Sequence, residues 1–208
     1  MFLSVDELRF RTAEPGDAAA VAALHADSWR RHYRGAYSDD FLDGDVTGYL
    51  GAIWTGRLAA ADPRTHTILA ERDGALAGFA HTALGESAEW GTLLDNLHVA
   101  DARKRQGLGT RLLALSARAV LDAAPGSGMY LWVLDQNAAA RAFYAALGGE
   151  SVERVTVKSL GGDPRRLNGT PLCWRIAWRD PARLLAGGSP DSAPSPGSAV
   201  VAETESSD

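Results

Sequence analysis

Three cations and two glycines stand close together in Arg103-Lys104-Arg105-Gln106-Gly107-Leu108-Gly109-Thr110. In front of them, Leu93-Leu94-Asp95-Asn96-Leu97-His98-Val99 is an apolar run that reads as a strand. Behind them, Leu108, Leu112, Leu115 and Ala119 recur at helical spacing. The order is therefore strand, basic loop, helix. Glycine lets the backbone turn tightly and lie close to a ligand. The first N–H groups of a helix have no partner within it, and the helix dipole favours an anion there. Arg103, Lys104 and Arg105 add charge attraction. A loop of this kind can cradle a phosphate or pyrophosphate. The plainer alternative is a strand–helix turn whose glycines serve only close packing.

Two familiar phosphate loops do not fit. A Walker loop needs Gly-x-x-x-x-Gly-Lys-Ser/Thr, and no Lys follows either glycine. A dinucleotide fingerprint needs a third glycine where this chain has Leu112, and no acidic residue follows at the expected distance. A second segment narrows the reading. Met129-Tyr130-Leu131-Trp132-Val133-Leu134 reads as a buried strand, and Asp135-Gln136-Asn137 as a helix start. A short helix follows over residues 138–147, stopped by Gly148-Gly149.

Taken together, the two segments resemble the GNAT superfamily of acetyl-CoA-dependent N-acyltransferases. That family's pyrophosphate loop is written Arg/Gln-x-x-Gly-x-Gly/Ala, and its later helix Asn-x-x-Ala-x-x-Phe-Tyr-x-x-x-Gly. This chain has Gly107 and Gly109 in the loop, and Asn137, Ala140, Phe143, Tyr144 and Gly148 in the helix. Lys104 stands where the loop usually has Arg or Gln, a point charge in place of a planar fork.

The resemblance implies acetyl-CoA as co-substrate, with no metal. It assigns the pyrophosphate to Lys104, Arg105, Gln106, Gly107, Leu108, Gly109 and Thr110, and the pantetheine arm to the backbone of Leu97, His98 and Val99. It implies that a primary amine attacks the thioester directly in a ternary complex. Tyr144 matches the position that often donates a proton to the departing thiolate; read alone, it is a packing residue beside Phe143. Asp95 is the first candidate for the base and Glu89 the second. His98 titrates in a useful range but equally reads as a structural strand residue. Asn137 is both a candidate helix N-cap and a cofactor contact. Trp29 and Tyr33 are the candidates for the acceptor site, because Trp-x-x-x-Tyr at this place resembles a subgroup of relatives. The nearby Asp39, Asp40, Asp43 and Asp45 read either as a cation-attracting rim or as a solvated loop. The acceptor class stays open between a small-molecule amine and a peptide or protein amine, and a homodimer is compatible with either. The alternative to an N-acetyltransferase is a non-catalytic acyl-CoA-binding sensor or partner-binding module.

The elements that must hold these residues follow from pattern. Leu8 to Ala13 alternates as a first strand, and Pro15-Gly16-Asp17 starts a helix carrying Val21, His25 and Ser28 toward Trp29 and Tyr33. Ser38 to Leu42 reads as a short helix and Val46 to Ala61 as a longer one. Thr65 to Arg72 and Ala75 to Leu84 read as a hairpin around Asp73-Gly74, with Glu86 to Trp90 as its exit loop. Leu94, Leu97 and Val99 break strict alternation, which a bulge near Asp95-Asn96 reconciles; an irregular buried strand is the other reading. Ser151 to Leu160 and Thr170 to Trp178 read as a closing pair of strands. The expected fold class is α/β: a single mixed, mostly antiparallel sheet flanked by helices, GNAT-like, with a splayed central strand pair.

Composition sets outer limits. A chain of 208 residues with 46% hydrophobic content suits one globular core with extensions. The expected division is an N-terminal extension over 1–7, an N-acetyltransferase domain over 8–180, and a tail over 181–208, disordered from about 187. One cysteine, Cys173, excludes an internal disulfide and a cysteine metal cluster. Four of the acidic residues behind the net charge of −5 lie beyond residue 186, so the remainder is near neutral and lacks the basic face that nucleic-acid binding needs. No apolar run reaches about 18 residues, so no membrane span or membrane partner is expected. The first residues lack a basic signal-peptide region, which makes a cytoplasmic location the default expectation.

Overall fold

The computed structural model describes residues 7–186, so the segment expected to be disordered lies outside the described residues. Its strands are β1 (Leu8–Thr12), β2 (Thr65–Arg72), β3 (Ala75–Ser87), β4 (Gly91–Val99), β5 (Met129–Leu134), β6 (Glu150–Thr156) and β7 (Leu172–Trp178). They form one seven-stranded open sheet in the order β1-β2-β3-β4-β5-β7-β6. Every neighbouring pair is antiparallel except β4 with β5. The helices are α1 (Ala18–His32), α2 (Asp39–Asp43), α3 (Val46–Ala60), α4 (Leu108–Ala123), α5 (Ala138–Ala146) and α6 (Arg183–Ala186). This is the mixed, mostly antiparallel α/β sheet expected from the sequence.

Each face of the sheet buries its own core, because alternate strand residues point opposite ways. One core joins Val21, Trp29 and Tyr33 of α1 and Leu50 and Trp54 of α3 to Leu69, Phe79, Leu93 and Trp132. The other joins Leu108, Leu112, Leu113 and Val120 of α4 and Phe143 and Tyr144 of α5 to Leu94, Leu97, Val99 and Val133. The β2–β3 hairpin turns at Asp73 (φ 54°) and Gly74 (φ 75°), the paired positive angles that a two-residue turn of this hand demands.

Two irregularities of β4 prepare the site. His81 of β3 lies opposite Asn96, but Thr82 lies opposite Leu94, so Asp95 is an extra residue in β4. This bulge puts both Leu94 and Leu97 on the α4 face, which explains the broken alternation. The second irregularity is the splay. β4 pairs with β5 only at Thr92–Met129 and Leu93–Tyr130, while β5 stays paired with β7 through Leu134–Cys173. From Leu94 to Val99, β4 therefore has no strand on its β5 side, and backbone groups on that edge await a partner.

Element ends differ from expectation where pattern is weak. β3 continues to Ser87, so the hairpin's exit loop is shorter than expected. β6 ends at Thr156 and β7 begins at Leu172, with single 3-10 turns at Leu160–Gly162 and Pro164–Arg166 between them. A boundary at residue 180 cuts off α6, whose Leu184 is buried in the α4-side core. Among the described residues no helix is long and apolar enough to cross a membrane.

Candidate active site

The anion cradle forms where β4 hands over to α4. Gly107 is the N-cap of α4 at φ 74° and ψ −2°, a left-handed geometry that glycine adopts without cost, and no side chain caps the helix. The first intrahelical bond runs from the Arg111 N–H to the Gly107 carbonyl at 3.0 Å. The N–H groups of Leu108, Gly109 and Thr110 thus precede the helical ladder, at the positive end of the dipole. Arg105 also has a positive φ of 60°, which continues the tight turn. The Gln106 amide bridges Arg72 and the Ala102 carbonyl. Lys104 turns away from the helix start: its Nζ lies 2.9 Å from Asp101 Oδ1 and 2.7 Å from His32 Nε2. Burial first, and then Lys104, lower the His32 pKa, so the neutral imidazole accepts from the ammonium. Leu97, His98 and Val99 are buried on the unpaired stretch of β4.

Tyr144 of α5 belongs to the α4-side core. Its side chain is fully buried, edge-on to Phe143 and Trp178 at 5.1 and 6.0 Å between ring centroids. The phenol oxygen has no hydrogen-bond partner among the described residues, and burial raises its pKa, so it is a protonated donor at ordinary pH. Asn137 starts α5, its Oδ1 accepting from the Ala140 N–H at 3.2 Å. From the α1 face comes Tyr33, in a ring cluster with Trp29 (5.1 Å) and Tyr37 (5.3 Å). Its phenol is pushed up by burial and, next, by Tyr37, Tyr144 and Asp95. Trp29 is buried within the same cluster.

Asp95, on the bulge, is almost closed to solvent with 6% of its side chain exposed. Its Oδ2 accepts from Arg57 Nη1 of α3 and from Asn96 Nδ2, both at 2.7 Å. Glu89 is not brought to this place. It is exposed in the β3–β4 turn, and at about 3.3 Å rise per residue it stands on the order of 20 Å along the strand from Asp95. His98 is bonded within the fold: Nδ1 lies 3.0 Å from Ser28 Oγ, and Nε2 lies 3.3 Å from Asn96 Oδ1. Burial lowers its pKa to about 3, so it is neutral.

Pattern reading missed two features of this face. His98 packs at a tilt against His25, ring centroids 4.4 Å apart, and His25 Nδ1 accepts from Trp54 Nε1 at 3.0 Å. His81 pairs with Thr67 Oγ1 at 2.7 Å. The other feature is Arg57. Its signal was its place three residues after the buried Trp54, hence on one side of α3, together with the need of a buried carboxylate for a counter-charge. The acidic stretch is used locally: Arg34 holds Asp39 and Asp43, and Asp45 caps α3 through the Gly48 N–H at 2.8 Å.

The chain and its fold are similar to known proteins. Residues 19–148 match the model of the acetyltransferase (GNAT) family. The probable N-acetyltransferase Rv2775 of Mycobacterium tuberculosis is 28% identical over 145 residues, covering 66% of this chain and 76% of the relative. The PaiA N-acetyltransferase of Thermoplasma acidophilum, solved in complex with coenzyme A, superposes with a TM-score of 0.63 over 83% of this chain and 99% of its own, at 16% identity. The yncA protein of Salmonella typhimurium, solved with acetyl-CoA, has a TM-score of 0.58 over 83% of this chain and 93% of its own, at 17% identity. At such identities these two likenesses are of fold alone.

Proposed function

The chain belongs to the acetyltransferase (GNAT) family, and from that premise we propose that it moves an acetyl group from acetyl-CoA to a primary amine by direct attack in a ternary complex. The observation that carries this reading is the open edge of β4 together with an unpartnered, protonated phenol on α5. A buried hydroxyl without a partner is costly in a folded protein and calls for a ligand.

Acetyl-CoA fits the residues present, and when bound it supplies an activated acetyl thioester. The backbone from Lys104 to Thr110 holds its pyrophosphate at the start of α4, where unpaired N–H groups and the dipole favour phosphate oxygens. The backbone of Leu97, His98 and Val99 pairs with its amide arm as a missing strand would. Asn137 and Tyr144 meet it from α5. Asp95 receives the proton lost by the attacking amine, directly or through water. Tyr144 gives its phenolic proton to the departing sulfur. Trp29 and Tyr33 wall the acceptor side.

The test is thiol release from acetyl-CoA against a panel of amines, with the acetylated product identified by mass spectrometry. Transfer to at least one amine is the expected result. Tight acetyl-CoA binding with no product from any amine would replace the enzyme by a sensor or partner-binding module.

A further inference from the structure

The transfer step takes one oxygen of Asp95 and leaves the rest of the Arg57–Asp95 pair without a task. A guanidinium has five N–H donors, and among the described residues Arg57 uses only Nη1 in hydrogen bonding, toward Asp95 Oδ2. Its carbon lies 5.3 Å over the Trp54 ring, so the flat face is occupied and the donor edge is left for a ligand. Arg57 is 29% exposed and Asp95 only 6%, so the cation stands at the mouth of the site and the anion in its depth. Oδ2 already serves Arg57 and Asn96, whereas Oδ1 has no hydrogen-bond partner among the described residues.

The pair therefore offers an open acceptor oxygen next to an open donor edge. A simple cationic amine would meet Arg57 on its way to Asp95. A simple anion would meet Asp95. A molecule with an ammonium and a carboxylate on neighbouring atoms satisfies both ends, the carboxylate through two parallel bonds to the guanidinium fork. We propose, resting on the acetyl-transfer reading above, that the acceptor is an α-amino acid or a similar zwitterion, its amine at Asp95 Oδ1 and its carboxylate on Arg57. Arg57 is then the specificity-determining residue of this face.

Acceptors matched except for the carboxylate test this: free amino acids, their amides and the corresponding decarboxylated amines, with kcat/KM for thiol release as the readout. The wild-type protein should favour the free amino acid by on the order of 10–100-fold, the worth of a charge-assisted bidentate contact. Arg57→Gln should bring the amino acid down to the level of its amide. Arg57→Lys, which keeps the charge and loses the fork, should retain a smaller preference. Should Arg57→Gln fail to fold, Arg57→Lys decides, and an undiminished preference in it overturns the assignment. Equal rates for acid and amide in the wild type overturn it as well. Transfer confined to carboxylate-free amines removes only this assignment, whereas no transfer to any amine removes the acetyl-transfer reading with it.

Discussion

On the α4–α5 face of the sheet the groups offered to a ligand are mostly backbone: the N–H groups at the start of α4, the open edge of β4, and a single phenol. On the α1–α3 face they are side chains, Asp95 and Arg57, backed by the buried Trp29–Tyr33–Tyr37 cluster and a layer of buried histidines. The difference matters for specificity. Backbone donors recognise a constant partner, such as a pyrophosphate, and need glycine and helix position to be exposed. Side chains recognise a variable partner and can change without moving the backbone. The first face suits a ligand of fixed shape; the second can be retuned by single side chains.

The comparison breaks most easily at Gly107. Gly107→Asp puts a carboxylate at the helix start, where it repels phosphate. A Cβ there meets no atom within 4 Å, and Asp tolerates a positive φ better than most residues. Affinity for acetyl-CoA should fall by about 100-fold or more in calorimetry, with the ligand-free melting temperature shifted by only a few degrees. Unchanged affinity would take the cradle out of its proposed role.

Tyr144→Phe separates chemistry from packing on the same face. It deletes the phenol and keeps the ring against Phe143 and Trp178. Turnover should fall by about 100-fold, the low end for a general acid because a thiolate departs with limited help. Acetyl-CoA affinity should stay within about twofold, and ligand-free stability should hold or rise, since an unsatisfied buried hydroxyl is removed. Higher stability with unaltered turnover, where chemistry limits the rate, would make the hydroxyl a mere packing defect.

The two faces were unequally legible in the sequence, for a physical reason. The α4 cradle, the α5 helix start and the Asp73-Gly74 turn are local: each needs a few consecutive residues with particular backbone freedom. The bulge at Asp95 was legible too, because an inserted residue breaks a period of two. Arg57 and Asp95 are 38 positions apart, and His98 and Ser28 are 70 apart. Nothing in either segment alone fixes such pairs; they follow from how α1 and α3 settle on the sheet. Glu89 shows the converse, a carboxylate near Asp95 in sequence and at the far end of the strand in space. The β6 and β7 strands are shorter than their pattern suggests, because the segment between them has no clear periodicity.

The histidine layer gives the α1–α3 face a strong pH signature, to which half-buried His66 adds from the α4 side. His25, His81 and His98 are held neutral by burial, with folded values of about 4 for His81 and about 3 for His98 against an ordinary 6.5. Below pH 6.5 the unfolded chain takes up protons that the folded chain refuses. Stability is therefore complete above about pH 6.5 and falls as pH drops toward the folded values, by up to roughly 1.4 kcal/mol per pH unit for each histidine. Melting temperatures between pH 7.5 and 5 should show this decline, and His98→Gln should make it shallower. A flat profile in the wild-type protein would mean that these imidazoles are not shielded.

The smallest effect is expected at Lys104, and it sharpens the view that backbone carries the cradle. Its side chain is only 19% exposed, and its ammonium is already engaged by Asp101 and His32. Releasing it toward a phosphate would cost those contacts, so the net gain on binding is small. Lys104→Met should therefore weaken acetyl-CoA binding by only about threefold, within the range of a modest surface charge contact. The substitution has a second consequence that does not depend on the ligand. Lys104 is the main charge that depresses His32 after burial itself, opposed by Asp101. Without Lys104 the neighbouring carboxylate dominates, and His32 should titrate at higher pH than in the wild-type protein, visible in the imidazole resonances by NMR. A loss of affinity near that of Gly107→Asp, with His32 unmoved, would show that the ammonium faces the phosphates after all.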